Sequence, residues 1–409
     1  MSWRTAVYGL VGELGRKSAA RVAYGVAALF LAAALLACED ESVVDSAVDA
    51  SEVVLPDASG DAAFDAGPQS PPDGLPDAHA DTSPDDPSAC SRAMIEDELE
   101  SALETVETEV AFAFLLEDDT SAFVFERGQA VDAMIRSAST SKWVAATLVL
   151  WATERSDLSL DSTVGDFFRR VEASDGLRAL TLRSLLSFQS GVIEEPGCLE
   201  IGRPALGFDA CLTRLLEANA APVEVGVFNY GSGHLQLAGG MAIRAMGAAN
   251  VATFFERFRE ATGLFAEGRF ELPSAENPRL AGGMRWSARE YAAFLRAMRR
   301  GEILSEMTRA EMLSDQLRTT PIQHSPAASE GYAWRYGLGV WLECADEACE
   351  NVPYLSSPGA YGAYPFVASD LRYSGLLARE GEIGTFPEGI AIAAAVRRLT
   401  EDWTACENP

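Results

Sequence analysis

One stretch decides how much of this chain can fold. Between Glu39 and Cys90 there are 14 acidic residues and no Lys or Arg, set among Ala, Pro and Ser, as in "DGLPDAHADTSPDDP". Such a segment has too few large apolar side chains to offset its ordering entropy, and its like charges hold it extended. It reads as a disordered acidic linker over 38–90, a spacer rather than a specific acidic binding tail. Domain-forming sequence therefore starts at about residue 91 and runs to 409.

The segment before the linker has a different character. Arg4, Arg16, Lys17 and Arg21 precede "VAYGVAALFLAAALLA", Val22 to Ala37, which carries no charge. That run is short for a bilayer span, which needs about 20 residues. A basic start, an apolar stretch and a small residue at its end read as an export signal over 1–37. "LLAC", Leu35 to Cys38, resembles the lipobox of bacterial lipoproteins, which implies lipidation at Cys38. The alternatives are an ordinary signal peptide or an uncleaved anchor. The expected location is the cell envelope, periplasmic or outer surface, with the domain tethered to a membrane.

With the leader and linker set aside, the rest is still acidic. Nucleic-acid binding depends on Lys and Arg neutralising phosphates, so that class is dropped. Six cysteines remain besides Cys38, and an even number in an exported chain reads as disulfides. Sequence proximity favours Cys198–Cys211 and Cys344–Cys349, leaving Cys90 with Cys406 to bracket the domain. A metal site is the weaker reading: there is no C-x-x-C pair, and His79, His234 and His324 are scattered. No cofactor is expected.

The patterning beyond residue 90 gives the architecture. Ile95, Leu99, Leu103 and Val106 share one helical face behind a candidate N-cap at Ser91. "EVAFAFLLEDDTSAFVFER" reads as a hairpin about an Asp-Asp-Thr-Ser turn. "TSKWVAATLVLWATE" is apolar on nearly all sides, which predicts a buried helix. From about 155 to 310 helical patterns alternate with Gly and Pro. "YGLGVWLE", "YGAYPFVASD" and "YSGLLARE" read as strands, and "PEGIAIAAAVRRLTEDW" as a closing helix. The expectation is an α+β fold: one antiparallel sheet formed by both chain ends, flanked by helices and carrying a helical subdomain.

The chemistry turns on a lysine. The chain contains 30 Arg and only two Lys, Lys17 and Lys142. Lys142 stands three residues after Ser139 in "RSASTSKWVA", and residues i and i+3 share a helical face. A buried lysine can lose its proton and serve as the base for a serine nucleophile; arginine cannot. A Ser-His-Asp triad is improbable, since no G-x-S-x-G elbow occurs and His234 reads as a surface or helix position rather than a base. By itself S-x-x-K equally describes an N-capping serine with a stray lysine.

Other motifs then join it in order. "SASTSKWVAATLVLWATERSDLSLDSTVGDFF", the "LLSFQSG" run from Leu185 to Gly191, "FNYGSGHLQLAGGMAIRAMG" and "AGGMRWSAREYAAFLRAM" together resemble the serine hydrolases related to class C β-lactamases and D-Ala-D-Ala carboxypeptidases. That superfamily also includes esterases and amide hydrolases. The likeness spans roughly residues 95 to 400 and includes Gly282, Gly283, Ser287, Ala288 and Glu290 of a G-G-x-x-x-S-A-x-[DE] segment. It implies a β-lactamase/transpeptidase-like fold with Ser139 as acylated nucleophile and Lys142 and Tyr230 as the proton-transfer pair. It also implies an oxyanion hole from the N–H groups of Ser139 and Ala360.

Two motifs depart from the family pattern. The second ends in Ser232 instead of asparagine; a serine can still bond the lysine or the substrate over a shorter reach. The third is Ser357-Pro358-Gly359, where β-lactamases keep a lysine; alone it could be a simple turn. Losing that cation argues against tight binding of substrate carboxylates and favours small neutral esters or amides. Trp341, Tyr361 and Tyr364 are candidates for an acyl pocket, though each suits a core equally. The expected activity is ester or amide hydrolysis through an acyl-enzyme. A β-lactamase or carboxypeptidase acting on cell-wall-derived stems is the alternative, and a catalytically silent binding lipoprotein of the same fold is another.

Overall fold

The computed structural model describes residues 91–406, except 137, 170–173, 201–205 and 223. The signal, the lipobox with Cys38, the linker and Cys90 lie outside the described residues.

Among the described residues twelve strands follow one another. They are β1 (Phe112–Glu117), β2 (Ala122–Arg127), β3 (Ile135–Arg136), β4 (Phe228–Asn229), β5 (Arg269–Phe270) and β6 (Met284–Trp286). After these come β7 (Ile322–His324), β8 (Arg335–Tyr336), β9 (Trp341–Glu343), β10 (Tyr354–Ser356), β11 (Tyr364–Ala368) and β12 (Ser374–Arg379). The longer helices are α1 (Arg92–Glu104), α2 (Ser141–Thr153), α3 (Phe208–Ala218), α4 (Gly233–Ala245), α5 (Val251–Thr262), α6 (Ala288–Arg300), α7 (Phe386–Ala395) and α8 (Arg397–Ala405).

Seven strands form the main sheet in the order β2-β1-β12-β11-β10-β9-β8, every neighbour antiparallel. The N-terminal hairpin thus meets the C-terminal strands at β1–β12, with Phe112 opposite Arg379 and Glu117 opposite Ser374. The hairpin turns at Asp118-Asp119-Thr120-Ser121, where Asp118 Oδ1 accepts from the Thr120 and Ser121 N–H groups at 2.7 Å each. Helices make up most of the regular structure in the intervening chain, and the expected α+β architecture is the one observed. The closing helix differs: it breaks at Val396 into α7 and α8. Two smaller sheets, β3-β6-β5 and the parallel pair β4-β7, have strands too short to show a periodicity in sequence.

Helix α2 is the core's centre, and every residue from Ser141 to Ala152 is buried. Its apolar side chains include Trp143, Val144, Leu148, Val149, Leu150 and Trp151. Burying side chains of this size contributes roughly 1.5–3 kcal/mol each. Gly339, with φ of 82°, allows the main sheet to approach: a Cβ there would stand 2.2 Å from Ala146 Cβ. The head of α2 is consequently held at fixed height above the sheet edge.

Two disulfides join Cys198 to Cys211 and Cys344 to Cys349, with Cα separations of 5.8 and 4.7 Å. Cys406, 1% exposed, is also disulfide-bonded. Its expected partner, Cys90, lies outside the described residues.

Candidate active site

Ser139 sits in a single 3-10 turn, Ala138–Thr140, immediately before α2. Ala138 has a φ of 50°, a left-handed conformation that costs a non-glycine residue about 1 kcal/mol. It is held there by the segment that contains the two consecutive glycines. The Met284 N–H donates to Ser141 Oγ at 3.1 Å, Trp286 Nε1 to Thr140 Oγ1 at 2.9 Å, and the Tyr291 hydroxyl to the Thr140 carbonyl at 2.8 Å. Ser287 and Glu290 form a capping box that starts α6. The G-G-x-x-x-S-A-x-[DE] segment therefore braces the turn that presents the serine.

Lys142, one turn into the helix, is 4% exposed. Its Nζ donates to Ser139 Oγ at 3.1 Å and to the Ala281 carbonyl at 3.0 Å, and lies 4.5 Å from the centroid of the Tyr230 ring. Burial, and secondarily the Arg279 guanidinium, push its pKa down to about 7; Glu195 acts in the other direction. An ammonium stripped of water is disfavoured, whereas a neutral amine is not.

Tyr230 follows β4, and its N–H donates to the His324 carbonyl at 2.9 Å across the β4–β7 pair. Its ring lies against Trp341, with centroids 5.2 Å apart. Burial among rings raises its pKa to about 12, while hydrogen bonds with Ser139 and Trp341 pull the other way. Ser139, Lys142 and Tyr230 thus form one connected cluster.

The remaining candidates fall in less expected places. Ser232 lines the same cavity, at the start of α4, but makes no hydrogen bond to Lys142 among the described residues; the Ala281 carbonyl takes that role. Ser357 is 2% exposed and donates through Oγ to the Ser139 carbonyl at 3.0 Å. It braces the Ser139 backbone and lines neither cavity beside that residue. Strand β10 ends at Ser356, so Gly359 and Ala360 lie in the turn into β11 and not on a strand. The Gly359 N–H is spent on Ala363, at 2.8 Å, and the Ala360 carbonyl accepts from Gly384 and Thr385. The Ala360 N–H has no backbone partner among the described residues, and Ala360 lines the cavity beside Ser139.

His234 is on a helix, as expected, but fully buried instead of at the surface. Its Nδ1 meets Ser190 Oγ at 2.8 Å, its Nε2 meets the Asn229 carbonyl at 2.9 Å, and its ring stacks on Phe188. Burial drives its pKa down to about 4, so it is a structural link to the "LLSFQSG" segment. Trp341 lines the site and so does Tyr361, whereas Tyr364 is buried against Glu343.

Ser139 stands between two cavities. One, of about 460 Å³, has polar walls that include Glu195, Ser232, Arg279 and His324. The other, of about 270 Å³, is walled by Trp334, Trp341, Pro326, Pro358 and Phe386. Glu195, Arg279 and His324 had no signal in the sequence. Glu195 and Arg279 reach the site through loops and His324 through the end of the short strand β7, and the position of each depends on the finished fold.

A β-lactamase sequence family matches residues 124–407. The chain belongs to the β-lactamase family. Solved structures with this fold include a candidate β-lactamase from Bacteroides dorei DSM 17855, 24% identical, TM-score 0.65, over 76% of this chain and 100% of that one. EstCE1, a hydrolase with promiscuous acyltransferase activity, is 19% identical with TM-score 0.60 over 75% and 98% of the two chains. A D-amino acid amidase from Ochrobactrum anthropi SV3 is 15% identical with TM-score 0.59, over 76% and 98%. No curated protein compared with the chain matches it. A hydrolase with acyltransferase activity and an amidase therefore share this fold, and the fold alone does not choose between such activities.

Proposed function

We propose that this β-lactamase-family domain is a serine hydrolase that cleaves ester or amide bonds through an acyl-enzyme on Ser139. We further propose that it is exported and tethered to the cell envelope through Cys38. The observation that carries the catalytic reading is the buried Lys142 Nζ, 3.1 Å from Ser139 Oγ and titrating near 7.

Neutral Lys142 takes the Ser139 proton, directly or through the Tyr230 hydroxyl, as Oγ bonds to the acyl carbon. The oxyanion that forms is met by the N–H groups of Ser139 and Ala360, donors of a kind typically worth about 3 kcal/mol each. Collapse breaks the bond to the leaving group, which takes the proton back from the Lys142–Tyr230 pair. Water repeats the sequence on the acyl-enzyme, with the same pair as base, and releases the acid. Tyr230 stays protonated throughout the neutral range, so it passes a proton on and does not act as a standing phenolate.

Intact mass of the purified protein after a fluorophosphonate, an activated ester and a penicillin tests this directly. One adduct per chain with the fluorophosphonate is expected, absent in Ser139→Ala, together with ester turnover that the same substitution abolishes. Unlabelled wild-type protein would overturn the reading. A stable penicilloyl adduct or rapid penicillin turnover, with slow ester hydrolysis, would move the substrate to β-lactams.

A further inference from the structure

The third motif lacks a cation, but the site does not. Arg279 lines the 460 Å³ cavity from the loop before β6, as do Lys142 and Gly282. Its guanidinium has no ion pair or hydrogen bond among the described residues, while most exposed arginines nearby, such as Arg269, Arg285 and Arg289, have carboxylate partners. Glu195, the carboxylate sharing the cavity, is engaged elsewhere: its Oε1 accepts from the Ser232 and Gly233 N–H groups at the start of α4.

The loop that carries Arg279 is rigid. The Arg279 N–H donates to the Leu272 carbonyl at 2.7 Å, and its own carbonyl accepts from Gly283 at 2.6 Å and Gly282 at 3.1 Å. Buried Gln236 holds both flanking residues, donating to the Pro278 carbonyl and accepting from the Leu280 N–H, each at 3.0 Å. The guanidinium lies against Gly282: a Cβ there would be in van der Waals contact with it, 3.4 Å from Arg279 Nε and Nη2, and 3.7 Å from the Ala138 carbonyl carbon. The cation is thus fixed across one glycine from the residue that precedes the nucleophile.

The geometry points to Arg279 as a specificity-determining residue that binds a carboxylate on the leaving-group half of the substrate. The inference rests on the acyl-enzyme reading above and names the substrate class of that site. Of the proton-transfer pair, Lys142 lines only the polar cavity while Tyr230 lines both, so a leaving group on Arg279's side of Ser139 is the one that meets the whole pair. The apolar acyl group then occupies the pocket walled by Trp334 and Trp341. A guanidinium presents paired donors that match a carboxylate in two hydrogen bonds.

The test uses two phenylacetate esters differing only in charge: 3-carboxyphenyl phenylacetate and its methyl ester, 3-(methoxycarbonyl)phenyl phenylacetate. The wild type should prefer the acid in kcat/KM. Arg279→Gln should lower kcat/KM for the acid by about 30-fold, chiefly through KM, and Arg279→Lys should keep part of it. Loss of the cation also raises the Lys142 pKa, but this affects both esters alike, so the ratio between them reads recognition alone. Equal wild-type rates for the pair, or an equal fall for both in Arg279→Gln, would overturn the inference while leaving the hydrolase reading intact. If neither ester is turned over and Ser139 resists the fluorophosphonate, the hydrolase reading fails and this inference falls with it.

Discussion

Lys142→Met should yield a protein that is catalytically dead and, at pH 6, more stable than the wild type. The lysine's pKa falls from 10.5 to about 7 on folding. At ~1.4 kcal/mol per pH unit, the folded state therefore disfavours the protonated form by about 5 kcal/mol. Methionine removes that penalty and fills similar space, but leaves the buried Ala281 carbonyl without its partner, a loss of about 1–3 kcal/mol. The net gain at pH 6 is roughly 2–4 kcal/mol. Its pH dependence has a definite sign. Between about 7 and 10.5 the unfolded chain holds the Lys142 proton and the folded one does not, so wild-type stability rises with pH across that window. The advantage of methionine should be constant below pH 7 and shrink by ~1.4 kcal/mol per pH unit above it, nearly vanishing by about pH 9. Urea unfolding of both proteins from pH 6 to 9, followed by tryptophan fluorescence without reductant, measures the difference; titrations common to both cancel. A difference that does not change with pH, or a variant less stable at pH 6, would refute the argument that folding strips this amine of its proton.

The other expectations follow from the same cluster. Wild-type kcat/KM should climb with pH through about 7, because only the neutral Lys142 can accept a proton, and Lys142→Arg should lie about 10³-fold lower or more at pH 8 in steady-state ester hydrolysis. Tyr230→Phe should slow acylation by about 10²–10³-fold in a single-turnover experiment, with fold and thermal midpoint little changed. Replacing Cys198 and Cys211 by serine opens a loop with a sequence separation of 13 and should lower unfolding stability by about 3 kcal/mol in the same urea assay.

How much of this was legible in advance follows a physical division. Ser139, Lys142 and Tyr230 could be read because their residue types are fixed by chemistry, and α2 because a helix buried on all sides must be apolar on all sides. The hairpin was legible in its alternation and its Asp-rich turn. The direction of the Ser357 side chain was not legible, because β10 ends one residue earlier and strand alternation stops there. Lys142's second partner is a backbone carbonyl, Ala281, which no side-chain code can show. The cavity's cation was not legible either: the third motif has no lysine, and Arg279 arrives from a loop far along the chain, set by Gln236 and a pair of glycines.

The way the main sheet closes also bears on when such a protein could become active. The inner edge of β1 is completed only by β12, which pairs Phe112 with Arg379 near the far end of the domain. The turn bearing Ala360 lies between β10 and β11, equally late. A growing chain will therefore have made its serine, lysine and tyrosine long before it can assemble a site, and the apolar edge of β1 stays unpaired until then. Synthesis from the N-terminus delivers Ser139 early and Ala360 late. On the proposed reading, the nascent polypeptide gains a complete site only when its last strands arrive.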